Sequence, residues 1–415
     1  MRKQFLRLAG VASVAGLAIL AAVPAISQGG SAPPARYTID AGTISGMGAM
    51  GANGGGGLNS AMAMMRGGGN QVAHELRLRL GSSQASTGDP KADHFIPQGV
   101  RMGASLPLVT PRQVTGTQEY TPGQMPTGRL LLFWGCGEHA GAGQPVVIDF
   151  SKLARGQVPP GLYAQSLNLP EDWSITSANS KTFGEWPNER DPKPVPGNAS
   201  LLGAHRIAST YAPEISFELA NDFMSALRPS TADAASGAVN LSWNSVPTAT
   251  GYYAWVMAMN PDESGQPRDM VWWTSSSTQQ FGGPMWDWLS PSTVEKLITA
   301  KTVMPPSQTS CTIPAEVRQQ GGPFMMTNLY AYGPQADFSY PARPANAARN
   351  WQPDWIARVR FRANAMVMHG MPGMGDFSAS SEASEEAQPA QQQGQELPRC
   401  KGLSGIAKRA AGLCQ

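Results

Sequence analysis

The sequence VNLSWNSVPTATGYYAWVMAM, residues 239–259, decides how the fold is interpreted. Two apolar runs flank a short turn made of Pro, Thr and Gly residues. From Val239 to Asn244, apolar residues alternate with polar ones, which is typical of a strand buried on one face. In Tyr252–Met259 both alternating sets are apolar, so this strand needs cover on both faces. The stretch therefore predicts two strands and a later segment that packs over the second.

The segment LSWNSVPTATGYYAWV within this stretch is similar to the fibronectin type III family. That family has a Trp in strand B and a Gly-Tyr pair at the start of strand C, which correspond here to Trp243 and Gly251-Tyr252. Tyr332-Gly333 resembles the end of strand F in the same family. The resemblance covers residues 238–345. It implies a β-sandwich that acts as a binding module or a spacer, although a fold alone does not fix a function.

The whole chain of 415 residues is long enough for two domains with appendages. We expect a mostly β protein made of two tandem β-sandwich-like domains, with a disordered leader and tail. A short helix is expected inside the second domain, because Ser290 can cap it and Pro291 suits its first position. In chain order we predict a signal peptide (1–27), a Gly/Met-rich flexible leader (28–70), a β domain with long loops (71–225), a fibronectin type III-like domain with a helical insertion at about 290–302 (232–368) and a disordered tail ending in a basic segment between two cysteines (369–415).

The N-terminus has the pattern of a secretory signal. Arg2, Lys3 and Arg7 precede the apolar run Leu8–Ala22, which is short for a membrane span. We therefore expect a protein exported to the periplasm or cell surface, without a transmembrane segment after cleavage. The segment 134–153, WGCGEHAGAGQPVVIDFSKL, also resembles exported bacterial proteins of uncharacterised function. The net charge of +2 gives no indication of a nucleic-acid partner.

Export makes disulfides the expected state of the four cysteines, Cys136, Cys311, Cys400 and Cys414. Three connectivities are possible, and we favour Cys136–Cys311 together with Cys400–Cys414.

A methionine cluster near the end of the second domain is a candidate metal site. Its members are Met366, Met368, His369, Met371 and Met374. Thioethers and imidazole suit Cu(I), and the spacing resembles methionine motifs of periplasmic copper proteins. The alternative is a structural role, because Met366 and Met368 lie on a predicted strand and methionine is plentiful in this chain.

Four tryptophans form the candidate ligand-binding group, namely Trp272, Trp273, Trp286 and Trp288. Exposed aromatic faces can stack on sugar rings. Alternatively, these side chains cover the outer face of the strand that carries Tyr253 and Trp255, together with the helix after Ser290.

Two charged groups receive a simpler interpretation. Glu138 and His139 lie in a glycine-rich loop before Asp149, but no catalytic motif accompanies them. The alternating stretch Trp355–Met368 carries a row of arginines, Arg358, Arg360 and Arg362. Such a row could bind an anionic polymer such as a cell-envelope polysaccharide, but we expect a solvent-facing side or a strand edge guarded against aggregation. Arginines on Leu76–Leu80 would oppose this row, so we assign the stretch to the second domain.

These observations predict an exported, non-catalytic β-sandwich protein of the cell envelope. Its expected partner is an envelope protein or polysaccharide, unless it is purely structural. A periplasmic copper-binding protein that uses the Met366–Met374 cluster is the alternative, and a hydrolase is the least favoured function.

Overall fold

The computed structural model describes residues 33–52, 71–111, 128–153, 157, 174–261, 267–348 and 351–370. These ranges contain sixteen strands and four short α-helices, so the mostly β class predicted from the sequence is confirmed. The predicted signal peptide, the cysteines Cys400 and Cys414, and the tail beyond Gly370 lie outside the described residues.

The elements follow the chain in this order. The strands are β1 (Ala35–Gly46), β2 (Val72–Ser82), β3 (Ala92–Phe95), β4 (Ser105–Leu108), β5 (Arg129–Trp134), β6 (Val146–Asp149), β7 (Thr182–Trp186), β8 (Gly203–Ser209), β9 (Ile215–Leu219), β10 (Ser230–Asp233), β11 (Val239–Ser242), β12 (Gly251–Pro261), β13 (Pro267–Thr274), β14 (Ser310–Ile313), β15 (Met325–Tyr340) and β16 (Trp355–His369). The helices are α1 (Met47–Ala52), α2 (Phe150–Leu153), α3 (Pro291–Thr299) and α4 (Ala315–Gly321).

One large sheet organises these elements. Its nine strands run in the order β6-β5-β13-β12-β15-β16-β1-β2-β7. Two smaller sheets, β10-β11-β14 and β4-β3-β8-β9, accompany it. Within the large sheet, β13 pairs with β5 and β16 pairs with β1 in parallel, and the other pairs are antiparallel. The large sheet therefore takes strands from both of the predicted sandwich segments.

Both small sheets pack on the same face of the large one. At one end, Trp243 in the loop after β11 lies 5.5 Å from Tyr252 of β12 between ring centroids. At the other end, Phe217 of β9 stacks on Phe338 of β15 at 4.6 Å. The side chains between the layers form one continuous apolar cluster. The arrangement is sandwich-like, as the alternating patterns predicted.

The other face of the large sheet is covered over β12, the strand that is apolar on both faces. Tyr253 of β12 is 0% exposed and packs in a cluster with Val294 and Leu297 of α3. Helix α3 begins where predicted, and the Oγ of Ser290 accepts a hydrogen bond from the N–H of Thr293 at 3.3 Å. The prediction that a later segment packs over the doubly apolar strand is confirmed.

Strand β1 corrects the prediction that residues 28–70 form a flexible leader. Residues Ala35–Gly46 pair with β16 on one side and β2 on the other, and Tyr37 and Ile39 are fully buried. The strand was not predicted because residues 28–70 as a whole are rich in glycine, a composition typical of flexible segments. Ala35, Tyr37, Ile39 and Ala41 of β1 face the core, whereas Asp40 on its other face pairs with arginines of β2 and β16.

The same strand explains how the arginine-bearing strands coexist in one sheet. β16 pairs with β15 of the second segment, as predicted, and β1 lies between β16 and β2. Direct opposition of the two arginine sets is thereby avoided. The expectation of a solvent-facing row is wrong for Arg360 and Arg362, because both are buried and paired with carboxylates.

A chain of hydrogen bonds crosses the interface between β1 and the four-stranded sheet. The Oη of Tyr37 lies 2.8 Å from Nδ1 of His94, whose Nε2 lies 2.9 Å from Nδ1 of His205. The Nε2 of His205 is 2.7 Å from the carbonyl oxygen of Leu201. Because that carbonyl only accepts, each nitrogen takes a defined role, with Tyr37 donating at the start.

The predicted disulfide Cys136–Cys311 is present. It joins the loop after β5 to strand β14, two positions 175 residues apart in sequence. It therefore ties the edge extension of the large sheet to the three-stranded sheet.

Candidate functional site

An open pocket of about 230 Å³ lies on the outer face of the large sheet, opposite the small sheets. Strands β2 and β16 supply its floor and the segment 283–288 supplies its wall. The lining residues are Arg77, Gly283, Trp286, Asp287, Trp288 and Arg362. It combines two of the four predicted tryptophans with one arginine of the predicted row.

Ion pairs beside the pocket neutralise the arginines of the sheet. Asp40, at the centre of β1, has a fully buried side chain. Its carboxylate oxygens lie 3.1 Å from Arg79 on β2 and 2.7 Å from Arg360 on β16. Two cations and their hydrogen bonds offset the desolvation of this carboxylate. The three strands are thus joined by charge as well as by their backbones.

Glu75, like Asp40, pairs with two arginines, and it does so beside the pocket floor. It lies 2.7 Å from Arg77 on the same strand and 3.2 Å from Arg362 on β16. Arg362 is buried, and among the described residues its Nε has no hydrogen-bond partner. A buried donor without a partner costs free energy, so a ligand that accepts a hydrogen bond from this Nε would gain binding free energy.

The arginines of β16 also fix the wall of the pocket. Arg360 donates to the carbonyl oxygen of Trp288 at 2.9 Å, and Arg362 donates to that of Trp286. The guanidinium of Arg362 lies 4.2 Å from the ring centroid of Trp288, within the range of a cation–π contact. These contacts from β16 therefore hold the segment 283–288 against the outer face of the large sheet.

The absence of a side chain at Gly42 of β1 allows Trp288 to lie close to the sheet. A Cβ atom at this position would be 3.0 Å from Cη2 of the Trp288 ring and 3.2 Å from Cβ of Glu75. Trp288 is almost fully buried as a result. Its role is to shape the pocket rather than to present a free ring.

The four predicted tryptophans divide into two groups. Trp273 faces the core and Trp288 packs on Arg362, so neither offers an exposed face. Trp286 is 36% exposed. Its ring centroid lies 5.8 Å from that of Trp272 and 5.4 Å from that of Trp255, which supports it from within. Of the predicted group, Trp286 is the ring that a ligand in the pocket can reach.

Polar groups next to Trp286 complete the site. The side chain of Arg77 is 52% exposed and supplies hydrogen-bond donors. Asp287 is exposed and supplies acceptors, while its Oδ1 also accepts from the N–H of Trp288 at 2.7 Å. An apolar ring flanked by donors and acceptors can bind a ligand that has both an apolar face and hydroxyl groups.

The candidate catalytic residues lie elsewhere. His139 forms an exposed pair with Glu316, with 3.1 Å between Nδ1 and Oε1. Asp149 accepts hydrogen bonds from Ser151 at the start of α2. Glu138 is exposed in the same loop as His139. None of these three lines the pocket described above.

The linear methionine motif does not converge in the described part of the chain. Met366 and Met368 alternate onto the outer face of β16, whereas His369 lies on the opposite face. Both ring nitrogens of His369 are 3.1 Å from protein oxygens, those of Thr231 and Asp233. Burial lowers the pKa of His369. Met371 and Met374 lie outside the described residues.

Two features are absent from the described ranges. No three His, Cys, Asp or Glu side chains there are grouped as metal ligands. None of the helices in these ranges combines the length and hydropathy that a membrane crossing requires. Comparison with known proteins gives no match to a family model, a curated protein or a solved structure. The function is therefore inferred from the geometry of the site.

Proposed function

We propose that the protein is an exported, non-catalytic β-sandwich protein of the cell envelope that binds a glycan in the Trp286 pocket. The observation that carries this proposal is the exposed ring of Trp286, fixed between the tryptophans behind it and the arginines below, with Arg77 and Asp287 at its side.

The chemistry of a sugar ring matches this arrangement. The C–H face of a pyranose is apolar and packs on an aromatic ring, whereas its hydroxyl groups exchange hydrogen bonds at the edge. Arg77 provides donors and Asp287 provides acceptors at that edge. A carboxylate on the sugar would in addition pair with the guanidinium of Arg77.

The size of the pocket favours a glycan over a protein partner. Pockets for drug-sized ligands measure roughly 300–1,000 Å³. A pocket of about 230 Å³ that is open to solvent suits one residue of a longer saccharide chain. A stable protein interface generally needs about 800 Å² from each partner, and a small polar depression does not by itself provide such an area.

A fibronectin type III-like domain at residues 232–368 remains part of the proposal. Sandwiches of this architecture pack one sheet containing strands A, B and E on another containing C, F and G. The sheet β10-β11-β14 and the central strands β13-β12-β15-β16 support such an assignment. In this interpretation, β5–β6 and β1–β2–β7 extend the second sheet at both edges.

Export is supported by two independent observations. The N-terminal sequence has the charged and apolar regions of a secretory signal. The disulfide Cys136–Cys311 is a bond that persists in oxidising compartments and is rare in the cytosol.

Isothermal titration calorimetry with a panel of neutral and uronate-containing envelope polysaccharides tests the proposal. We expect binding of at least one member, and at least a tenfold loss of affinity in Trp286→Ala, which corresponds to about 1.4 kcal/mol. Arg77→Ala should weaken uronate-containing ligands more than neutral ones. Phe324→Ala is the matched control, since Phe324 is an exposed aromatic residue outside the pocket. Absence of heat across the panel, or unchanged affinity in Trp286→Ala, would refute glycan binding at this pocket.

A further inference from the structure

A second feature of the outer sheet face is a group of methionines from three adjacent strands. Met257 of β12 is directly opposite Met326 of β15, which is directly opposite Met368 of β16. Met366 precedes Met368 by two residues and therefore shares its face. All four side chains are partly exposed.

The register makes three of these residues a compact triangle. Opposite residues on antiparallel strands have Cβ atoms about 4.5–5.5 Å apart, which applies to Met326 and Met368. Residues two apart on one strand are separated by about 6.7 Å, which applies to Met366 and Met368. Met326 and Met366 are diagonal neighbours at about 7–8 Å. Three long, flexible side chains at these spacings can direct their sulfur atoms to one point above the sheet.

We infer that Met326, Met366 and Met368 form a binding site for a soft monovalent cation, Cu(I) or Ag(I), with Met257 as an adjacent fourth thioether. Thioether sulfur is a soft ligand that selects Cu(I) over hard or borderline cations. Trp272 lies opposite Met257 in the same row, so an aromatic side chain borders the site. Met259, on the same face as Met257, is 58% exposed, which shows that this end of the face is open to solvent.

This site shares Met366 and Met368 with the linear motif but differs from it in the other ligands. It includes Met326, which comes from a different strand and is absent from the motif. It excludes His369, whose ring is on the other face and is hydrogen-bonded there. It is also separate from the Trp286 pocket, whose lining contains no methionine.

The alternative to metal binding is simple packing, and the neighbouring residue Met325 provides the comparison. Met325 points to the opposite face of β15, is 0% exposed and belongs to the core cluster. Its sulfur is therefore enclosed by apolar side chains, whereas the side chain of Met326 can be reached from solvent.

Anaerobic titration of the full chain with Cu(I) against a chromogenic Cu(I) chelator tests the inference. We expect one high-affinity equivalent, reproduced with Ag(I) in calorimetry, and no comparable affinity for Zn(II). Met326→Leu should lower the affinity at least tenfold. Met325→Leu is the matched control and should leave it unchanged, since both substitutions nearly conserve volume.

Two further variants keep the outcome decisive. Met366→Leu/Met368→Leu should abolish the same equivalent, and Met371→Leu/Met374→Leu should retain it. Thermal melts identify any variant that has lost the fold. Full affinity in folded Met326→Leu, or loss of the equivalent in Met371→Leu/Met374→Leu, would overturn the assignment to the sheet.

Discussion

Acidification should destabilise the protein through His94 and His205, which are buried between β1 and the four-stranded sheet. The carbonyl of Leu201 requires a proton on Nε2 of His205, so Nδ1 of His205 accepts from His94 and Nδ1 of His94 accepts from Tyr37. Both rings are neutral in this arrangement. A proton added to Nδ1 of His205 would face the N–H of His94, and one added to Nδ1 of His94 would force the Tyr37 hydroxyl to give up its donor role. Burial lowers the pKa of both histidines, most strongly that of His94, where the neighbouring His205 adds to the effect.

The direction and size of the effect follow from linkage. When a pKa is lower in the folded than in the unfolded protein, the unfolded chain takes up the proton first. Stability is then unaffected above a pH of about 6.5 and falls as the pH decreases below that value. Each histidine contributes a loss of about 1.4 kcal/mol per pH unit until its folded pKa is reached. Between pH 7.5 and 5.5 we expect the pair to reduce the free energy of unfolding by about 1.4 to 2.8 kcal/mol.

Urea denaturation at the two pH values measures this loss. Replacing His94 with Gln keeps hydrogen-bonding groups but removes a titrating site, so the loss of stability between the two pH values should be about 1.4 kcal/mol smaller in His94→Gln than in the wild type. His139→Gln is the matched control, because His139 is exposed in its pair with Glu316. The reasoning is wrong if His94→Gln retains the full pH dependence of the wild type, or if the wild type is equally stable at both pH values.

Two other substitutions test the interactions that hold the sheets together. Asp40→Asn should lower the free energy of unfolding by about 3–5 kcal/mol, because it leaves Arg79 and the buried Arg360 without their shared carboxylate. The control Asp337→Asn removes an exposed partner of Arg358 and should lower the free energy of unfolding by at most about 1 kcal/mol in the same urea assay. Equal losses of stability in the two variants would contradict a special role for Asp40. Cys136→Ala/Cys311→Ala should lower the free energy of unfolding by about 2–5 kcal/mol, because the disulfide closes a long loop. Added reductant should lower the melting temperature of the wild type but not that of this variant.

The parts of the fold that the sequence predicted are those whose signals are local. The alternation in β11 and the doubly apolar pattern of β12 are complete within a few residues each. The N-cap at Ser290 and the proline after it are likewise adjacent in sequence. Such patterns reflect the immediate environment of a strand or helix, and they were confirmed.

The parts that were missed depend on distant partners. In β1, Asp40 and Gly42 resemble loop residues until Arg79, Arg360 and Trp288 are brought against them. Strand β3 carries a polar residue, His94, at a buried position, and β4 contains Pro107, so neither has the sequence pattern of a typical strand. Their existence follows from pairing with each other and with β8 rather than from their own sequence.

The candidate site shows the same division. The cluster of tryptophans is visible in the sequence, but the exposure of Trp286 and the burial of Trp288 are not, since they depend on where β16 passes. Arg362 was expected in solvent because its carboxylate partner, Glu75, lies 287 residues away in sequence. A charged row on a strand is ambiguous until the strand's neighbours are known.

The position of β1 between β2 and β16 limits how the molecule can be shortened. The bond between Asp40 and Arg360 joins residues 320 positions apart, so the first and last strands of the described chain are neighbours in the middle of the large sheet. A polypeptide trimmed to begin at residue 71, where the glycine-rich stretch ends, would leave β2 and β16 each with a bare hydrogen-bonding edge. Unpaired strand edges form hydrogen bonds with other chains, so a protein trimmed at residue 71 is expected to aggregate rather than to form a stable smaller domain.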